Sequence, residues 1–388
     1  NMSKLLEQIN TESKPYYISD LADIKYGFGL PEPKRIKGSI PVYASSGIVG
    51  YHNEAKVNDP AIVIGRKGNV GSLYFSELPS YPIDTAFFID EPKDGFDLKY
   101  IFYLLKRINL PRYGGDSAVP GLSRDTIYSL QVETPKIITQ NKIAEILSAY
   151  DSKIENNNKI IKNLEATAQT IFNEWFVNFR FPGYKKIKMV ESDTSTSLSA
   201  GMGKIPEGWS VKPLDEVAEF LNGVASQKYP AEDVNNSLPV IKIREMNSGV
   251  DKNSDRATKN IEKKYIVKNG DILFAWSGSL SLMIWVAGEG VLNQHIFKVT
   301  SEDYPKWFIY YWTNKYLQNF RTIAEGKATT MGHIQRHHLT ESKVVVPDKS
   351  ILKKANATLE PIFEQQILLQ EENISLKQSR DQLLAKLI

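Results

Sequence analysis

Cysteine is absent from all 388 residues, which rules out a disulfide framework and a thiolate metal site and suits a reducing compartment, the cytoplasm. Histidine is scarce at five residues. No apolar run approaches the roughly 18 residues of a membrane-spanning helix, and the opening NMSKLLEQINTESK lacks the apolar core of an export signal. Asn1 ahead of Met2 reads as an addition in front of a native start. Neither sign of charge dominates: 48 Lys+Arg against 45 Asp+Glu give a net charge of +3. Global charge therefore permits a nucleic-acid partner without announcing one, and any DNA surface must be local. Core-forming residues are plentiful. With 41% hydrophobic and 11% aromatic residues, the chain can build two or three domains with real cores.

The stretch from Thr139 to Trp175 places Ile143, Leu147, Tyr150, Ile154, Ile161, Leu164, Ala168, Ile171 and Trp175 at alternating steps of four and three, with Asn157 at the one missing position. Such a seam, kept over roughly five heptads, predicts a long helix that holds one stripe against a partner. The same frame returns in the second half as Leu359, Ile362, Gln366, Leu369, Asn373, Leu376, Arg380, Leu383 and Leu387. The chain thus reads as a module followed by a long helix, twice. The helices are expected to pair with each other, antiparallel, as a rod on the order of 55 to 60 Å long. The polar seam residues Asn157, Gln366, Asn373 and Arg380 would fix register at a cost in stability.

Within the first module, Ile40–Tyr43, Ala61–Ile64, Ser72–Phe75 and Ala86–Ile89 are short β-favouring runs separated by Gly and Asn turns. Leu98 to Arg107 reads as a helix, and Ser123 as the N-cap of a short one. The second module echoes these pieces: Asp271–Phe274 for the Ile62 strand, Val291–Phe297 for Pro82–Phe88 with Asn293 in place of Asp84, and Trp307–Trp312 for Tyr100–Leu105. Apolar spacing is kept while the polar loops differ. The fold class is α+β: two repeated α/β domains joined by two long helices. Expected boundaries are 1–136 and 205–348 for the domains, 137–183 and 349–388 for the helices, and 184–204 for a surface connection.

Through YASSGIVGYHN, GRKGNVGS, AVPGLSR, IFNEWFVNFRFPG, PEGW, KNGDILFAWSGSL, GVLNQHIFKV and KATTMGHIQR, nearly the whole chain resembles the specificity subunits of type I restriction-modification systems. The resemblance implies two target-recognition domains, each reading half of a split sequence in double-stranded DNA, with the two helices as an antiparallel spacer. It also implies that the helices seat methyltransferase subunits, that restriction/translocase subunits join through the complex, and that this chain catalyses nothing. S-adenosylmethionine, ATP and Mg²⁺ are then expected only on the partners, and no membrane is involved.

The strongest local candidate for DNA contact is Gly65-Arg66-Lys67-Gly68-Asn69-Val70-Gly71-Ser72, directly after a strand. Two cations and an amide in a Gly-rich turn suit phosphates and base edges, Arg matching guanine and Asn matching adenine. A solvated hairpin is the plain alternative, and a nucleotide-cradling loop is excluded because its Gly-Lys-Ser/Thr ending is missing. The equivalent Ala275-Trp276-Ser277-Gly278-Ser279 has lost both cations, so it would read through hydroxyls and a ring, with charge supplied by Lys327 and Arg336. The expected contact set is Ser46, Arg66, Lys67, Asn69, Ser117 and Arg124 in the first module. In the second it is Trp276, Ser277, Ser279, Gln294, His295, Lys327, Thr329, Thr330, His333 and Arg336.

Three other chemistries find less support. The i, i+4 pair His333/His337 has zinc spacing but no accompanying His-Glu-x-x-His pattern, so no metal site is expected. Asp84 with Glu91-Pro92-Lys93 superficially resembles a Mg-dependent nuclease centre, but the second module has no such set. A methyltransferase would need an Asn/Asp-Pro-Pro-aromatic loop, from which Asn58-Asp59-Pro60-Ala61 departs. The competing functions are therefore a stand-alone DNA nuclease and a coiled-coil scaffold without DNA readout. The aromatic run Trp307–Trp312 reads as core rather than a base-stacking platform.

Overall fold

The computed structural model describes residues 2–114, 121–192, 203–326 and 332–388. The chain forms two compact units, Asn1–Ile154 with Leu376–Ile388, and Glu155–Ser375.

In the first unit, the main antiparallel sheet has the order Lys25–Tyr26, Ala86–Ile89, Ala61–Gly65, Leu73–Ser76. Its two central strands are buried along their whole length, which is why they read as continuous apolar runs. A three-stranded sheet of Gly47–His52, Ile40–Ala44 and Tyr81–Pro82 lies beside it in sequence, and Lys14–Tyr17 pairs with Gln131–Thr134. The helix Leu98–Ile108 starts where the Asp97 carboxylate accepts from Tyr100 N at 2.7 Å, and ends at Asn109 in the left-handed region. Its apolar residues Tyr100, Ile101, Leu104 and Leu105 share a core with Ile62, Ile64 and Phe87 from the sheet. Ser123 caps the helix Arg124–Tyr128 by accepting from Thr126 N at 2.9 Å. The amphipathic helix Met2–Glu12, not anticipated from sequence, buries Leu5 in the same core.

The second unit repeats this plan. Its main sheet has the order Glu219–Asn222, Ile296–Thr300, Ile272–Ala275, Ser281–Ile284, matching the first strand for strand. Ser237–Ile241 pairs parallel with Gly290–Leu292, as Ile40–Ala44 pairs with Tyr81–Pro82. Ser210–Pro213 with Lys343–Val346 repeats the outer ribbon. The helix Lys306–Glu325 buries Trp307, Phe308, Ile309, Tyr311 and Trp312, so the aromatic run is core. One difference is large: where the first module turns at Ser45-Ser46, the second inserts the helix Ile243–Ser248 and a loop. The insert is pinned by the buried Glu245 carboxylate, which accepts from Lys242 N and from the Arg244 guanidinium.

The long helices are Ile137–Phe172 and Lys349–Leu387, about 54 and 58 Å by the usual rise. In the first unit Asp151 pairs with Arg380, and Ile143 and Leu147 share a core with Leu384 and Leu387. Tyr103 also donates to Asp151 at 2.7 Å, and burial followed by that carboxylate pushes the Tyr103 hydroxyl up. In the second unit Asn157 donates to Asn373 Oδ1 at 3.0 Å and to Glu372 Oε2 at 2.8 Å, while Ala168 and Phe172 share a core with Leu359 and Phe363. In each unit residue numbers rise along one helix as they fall along the other, so the pairing is antiparallel.

The expected seam holds at some positions and shifts by one residue near others. Ile143, Leu147, Ile154, Ile161, Leu359, Leu369 and Leu387 are buried as expected. Leu164, Ile171, Trp175, Ile362, Leu376 and Leu383 are only half-buried, and Phe172, Phe176, Phe363 and Leu384 take the buried places nearby. A helix of 3.6 residues per turn drifts about 20° per heptad from a strict seven-residue repeat. The π-turn Asn173–Val177 adds a further residue at the end of the first helix.

The chain that leaves this helix contributes to the core. Phe181 stacks on Trp209 at 5.0 Å and Phe176 lies 6.0 Å from the same indole, tying the helix end to Pro206-Glu207-Gly208-Trp209. The connection also carries strand Met189–Glu191, paired with Lys204–Pro206.

Candidate nucleic-acid interface

In the first module the loop after strand Ala61–Gly65 is closed by its own backbone: Gly65 N donates to Ser72 O and Gly71 N to Gly65 O, both at 2.8 Å. Gly68 and Gly71 have φ of 79° and 73°, and a Cβ on Gly65 would sit 2.1 Å from Asn69 O, so the glycines are required by the turn. Arg66 is fixed from both sides, its N donating to Thr85 O at 2.9 Å and its O accepting from Leu122 N at 3.0 Å. Its guanidinium lies 5.0 Å from the centre of the Tyr26 ring and 5.7 Å from Phe87, and donates to Asp84 O at 3.1 Å. Arg124 reaches the same ring, at 5.2 Å. Lys67 and Asn69 are exposed beside them, as is Ser46 in the Ser45-Ser46 turn, whose Ser45 O accepts from Ser72 Oγ. Ser117 lies outside the described residues.

The second module holds its loop by the same main-chain bonds. Trp276 N donates to His295 O at 3.3 Å and Trp276 O accepts from Ile334 N at 3.1 Å. The bridge Ser277–His333 stands where Lys67–Gly121 stands in the first module. The indole stacks on Phe297 at 5.7 Å, donates from Nε1 to Asn222 Oδ1 at 3.0 Å, and lies 5.9 Å from His295 and 6.3 Å from His333. His295 Nδ1 is 3.1 Å from Ser277 Oγ and Nε2 is 3.2 Å from Gln294 Nε2. Arg336 donates to Phe220 O at 3.3 Å and lies over Phe297 at 5.6 Å, while Ser279 is exposed. Lys327, Thr329 and Thr330 lie outside the described residues.

Several expectations are corrected by this geometry. Ser277 is buried and spent on His295, and the Trp276 N–H is spent on Asn222, so these two support the surface more than they present donors to it. The correspondence of the modules is one residue away from the sequence match. Gly65 faces Ala86 as Ala275 faces Ile296, and Ala86 N donates to Ile83 O as Ile296 N does to Asn293 O. Gln294, not Asn293, therefore stands at the Asp84 position, and His295 at Thr85. The nuclease-like set does not assemble: Asp84 precedes strand Ala86–Ile89 and Glu91 follows it, with the strand's own length of about 13 Å between them. Lys93 is instead tied to Asp23 at 3.2 Å and to Ser19 O at 2.8 Å.

His333 belongs to the Trp276 cluster. The group that comes together is His337, His338 and Glu341, as neighbouring positions of the short helix Arg336–Glu341 must, with His338 Nδ1 accepting from Gln335 N. Sequence reasoning alone misses Tyr26 and Asn222. The available signal is the Gly that follows each, Gly27 and Gly223: a Cβ there would lie 2.1 Å from Ile83 O and 2.3 Å from Asn293 O.

No helix among the described residues is long and apolar enough to cross a membrane. Comparison with known proteins gives one answer. The family model described as type I restriction modification DNA specificity domain matches residues 10–166 and 206–378. The chain is 28% identical to the type I restriction enzyme MjaIX specificity subunit of Methanocaldococcus jannaschii, over 98% of this chain and 88% of that one. It is 23% identical to the HindI specificity subunit of Haemophilus influenzae, over 83% and 84%. The crystal structure of a type I restriction-modification S subunit from M. genitalium shares the fold, with a TM-score of 0.61 at 15% identity over 97% of this chain and 96% of that one. With both modules matched by one model, and each carrying the same loop on the same frame, the chain belongs to the type I restriction modification DNA specificity domain family.

Proposed function

We propose that the chain is the non-catalytic specificity subunit of a type I restriction-modification complex, each module reading one half of a bipartite site in double-stranded DNA. On this reading the paired helices set the spacing of the half-sites and seat methyltransferase subunits, with restriction/translocase subunits joining through the complex. S-adenosylmethionine, ATP and Mg²⁺ belong to those partners, and the chain works in the cytoplasm. One observation carries the reading: two loops held by the same main-chain bonds carry different side chains, Arg66 and Lys67 in one, Trp276 and Ser277 in the other. That is what two readers of unlike sequences need, since rigid elements position the loop and side chains specify. A duplicated nuclease would keep its acids in both copies, and a protein scaffold would have no use for the divergence.

The test is binding of duplex DNA by the chain assembled with methyltransferase subunits, across a salt series. Replacing Arg66→Ala and Lys67→Ala together should weaken binding and flatten the slope of log K against log salt by about 0.9 for each phosphate no longer neutralised. Unchanged affinity and slope in a folded variant would remove this loop from the interface.

A further inference from the structure

Four positions form the heart of each module's candidate surface, and two of them are alike in both. A phenylalanine lies at the centre, Phe87 or Phe297, and an arginine opens the short helix beyond the loop, Arg124 or Arg336, near a carbonyl of the first strand, Ile24 O or Phe220 O. The other two positions change together. Opposite the phenylalanine the first strand supplies Tyr26 or Asn222, and the loop supplies Arg66 or Trp276. In the first module the loop residue is a cation lying over the strand's ring. In the second it is an indole whose N–H is held by the strand's amide.

Neither loop residue is served by the other module's strand residue. An asparagine at position 26 would leave Arg66 only the farther Phe87 ring, and a tyrosine at 222 would not offer Trp276 Nε1 the carbonyl that accepts from it now. The ring also organises its surroundings. Arg124 and Arg66 both lie about 5 Å from Tyr26, whereas Arg336, with no ring at 222, lies over Phe297. Tyr26 itself is 49% exposed, far more than an aromatic kept only for packing needs to be.

We infer that Tyr26 and Asn222 are specificity-determining residues, each acting as the seat that aims its module's loop residue, so that positions 26 and 66, like 222 and 276, form one coupled reading unit. In the first module two guanidiniums braced on one half-exposed ring suit the O6/N7 edge of guanine or flanking phosphates. In the second a clasped indole beside two imidazoles offers aromatic faces where the first module offers paired guanidiniums. This inference rests on the functional reading above and deepens it.

The experiment is selection of bound sites from a duplex pool randomised in both half-sites, using the full chain assembled with methyltransferase subunits. Tyr26→Ala should relax base preference by roughly 2- to 30-fold, the range that one cation–π interaction spans. The relaxation should fall at the same base pairs that Arg66→Ala relaxes, and leave the other half-site as it was. The double variant should fall well short of the sum of the two single effects, the excess over Arg66→Ala reflecting only the Arg124 contact with the same ring, and Tyr26→Phe should keep the preference. Asn222→Ala should relax only the second half-site. Additive effects, equal relaxation of both half-sites, relaxation in Tyr26→Phe, or unchanged preference in Tyr26→Ala each overturn the inference. Absence of any sequence preference in the unaltered complex overturns the functional reading instead, and this inference with it.

Discussion

Asn157 is fully buried in the second unit's helix pair, and its amide donates to Asn373 Oδ1 and to Glu372 Oε2, while Asn373 donates to Asn158 Oδ1 at 2.9 Å. Asn157 Oδ1 finds no donor among the described residues. Replacing Asn157→Leu strips the Asn373 and Glu372 oxygens of this donor, at about 1–3 kcal/mol for a buried acceptor. Only a small part of the roughly 1.5–3 kcal/mol that a leucine gains among apolar neighbours offsets this, because here the side chain meets polar atoms. The expected result for the single variant is a net loss of about 1–2 kcal/mol. Replacing Asn373→Leu as well removes the buried pair and leaves two apolar residues facing each other, while the oxygens of half-buried Glu372 and exposed Asn158 can turn to water, which is expected to be neutral or stabilising. For a unit of roughly 200 residues, 1 kcal/mol moves the melting temperature by about 2–4 °C. Calorimetry of the four chains resolves the cycle, and the double variant should melt at or above the unaltered chain while Asn157→Leu melts below it. Singles that add to give the double would show that the two asparagines do not act as a pair, and the register role assigned to them would fall.

Asp84→Ala and Lys93→Ala should leave the assembled complex able to modify DNA, and the purified chain should show no Mg²⁺-dependent cleavage; cleavage that either change abolishes would reinstate the nuclease reading. Gly27→Ala should unfold or misplace the first module while Gly223→Ala does so for the second, because each added methyl would meet a backbone oxygen within about 2.5 Å; limited proteolysis of the two variants separates the outcomes. Inserting one matched heptad in both helices, after Leu164 and at the facing position of the second helix, adds about 10.5 Å of rise, or roughly three base pairs of unspecified spacer. Mapping of modified sites should find longer spacers between unchanged half-sites, and an undiminished original spacer would show that the helices are not the ruler.

Much of the fold is legible in sequence because its signals are local. Ala86–Ile89 reads as a strand from four apolar residues, and the seam reads from its spacing. What stays hidden is what local pattern cannot carry. A strand buried on both faces has no alternation to mark parity, so apolar spacing pairs Asn293 with Asp84 although Gln294 stands there. The helix ends slip from Ile171 to Phe172 and from Ile362 to Phe363 because a heptad count does not follow a 3.6-residue helix. Phe179 and Phe181 resemble chain leaving a helix, and their partner Trp209 lies beyond a long polar stretch. In the candidate site, charge and glycine spacing are enough to find Arg66, Lys67 and Arg124. Tyr26 escapes because its link to Arg66 is tertiary, and Ser277 reads as a contact residue because sequence does not show that its hydroxyl is already engaged.

The loops of both modules hang on amide and carbonyl groups: Arg66 N to Thr85 O, Trp276 N to His295 O, and a strand crossing that only glycine clears at 27 and 223. Atoms common to every amino acid thus fix most of the loop frame, and exposed side chains such as Lys67 and Asn69 carry little structural duty. A lineage carrying such a chain can exchange candidate contact residues, singly at such positions, as coupled sets at 26 with 66 and 222 with 276, or by shuffling whole modules, without first losing the folded state. The side chains of the two candidate surfaces can therefore diverge over a backbone that hardly changes.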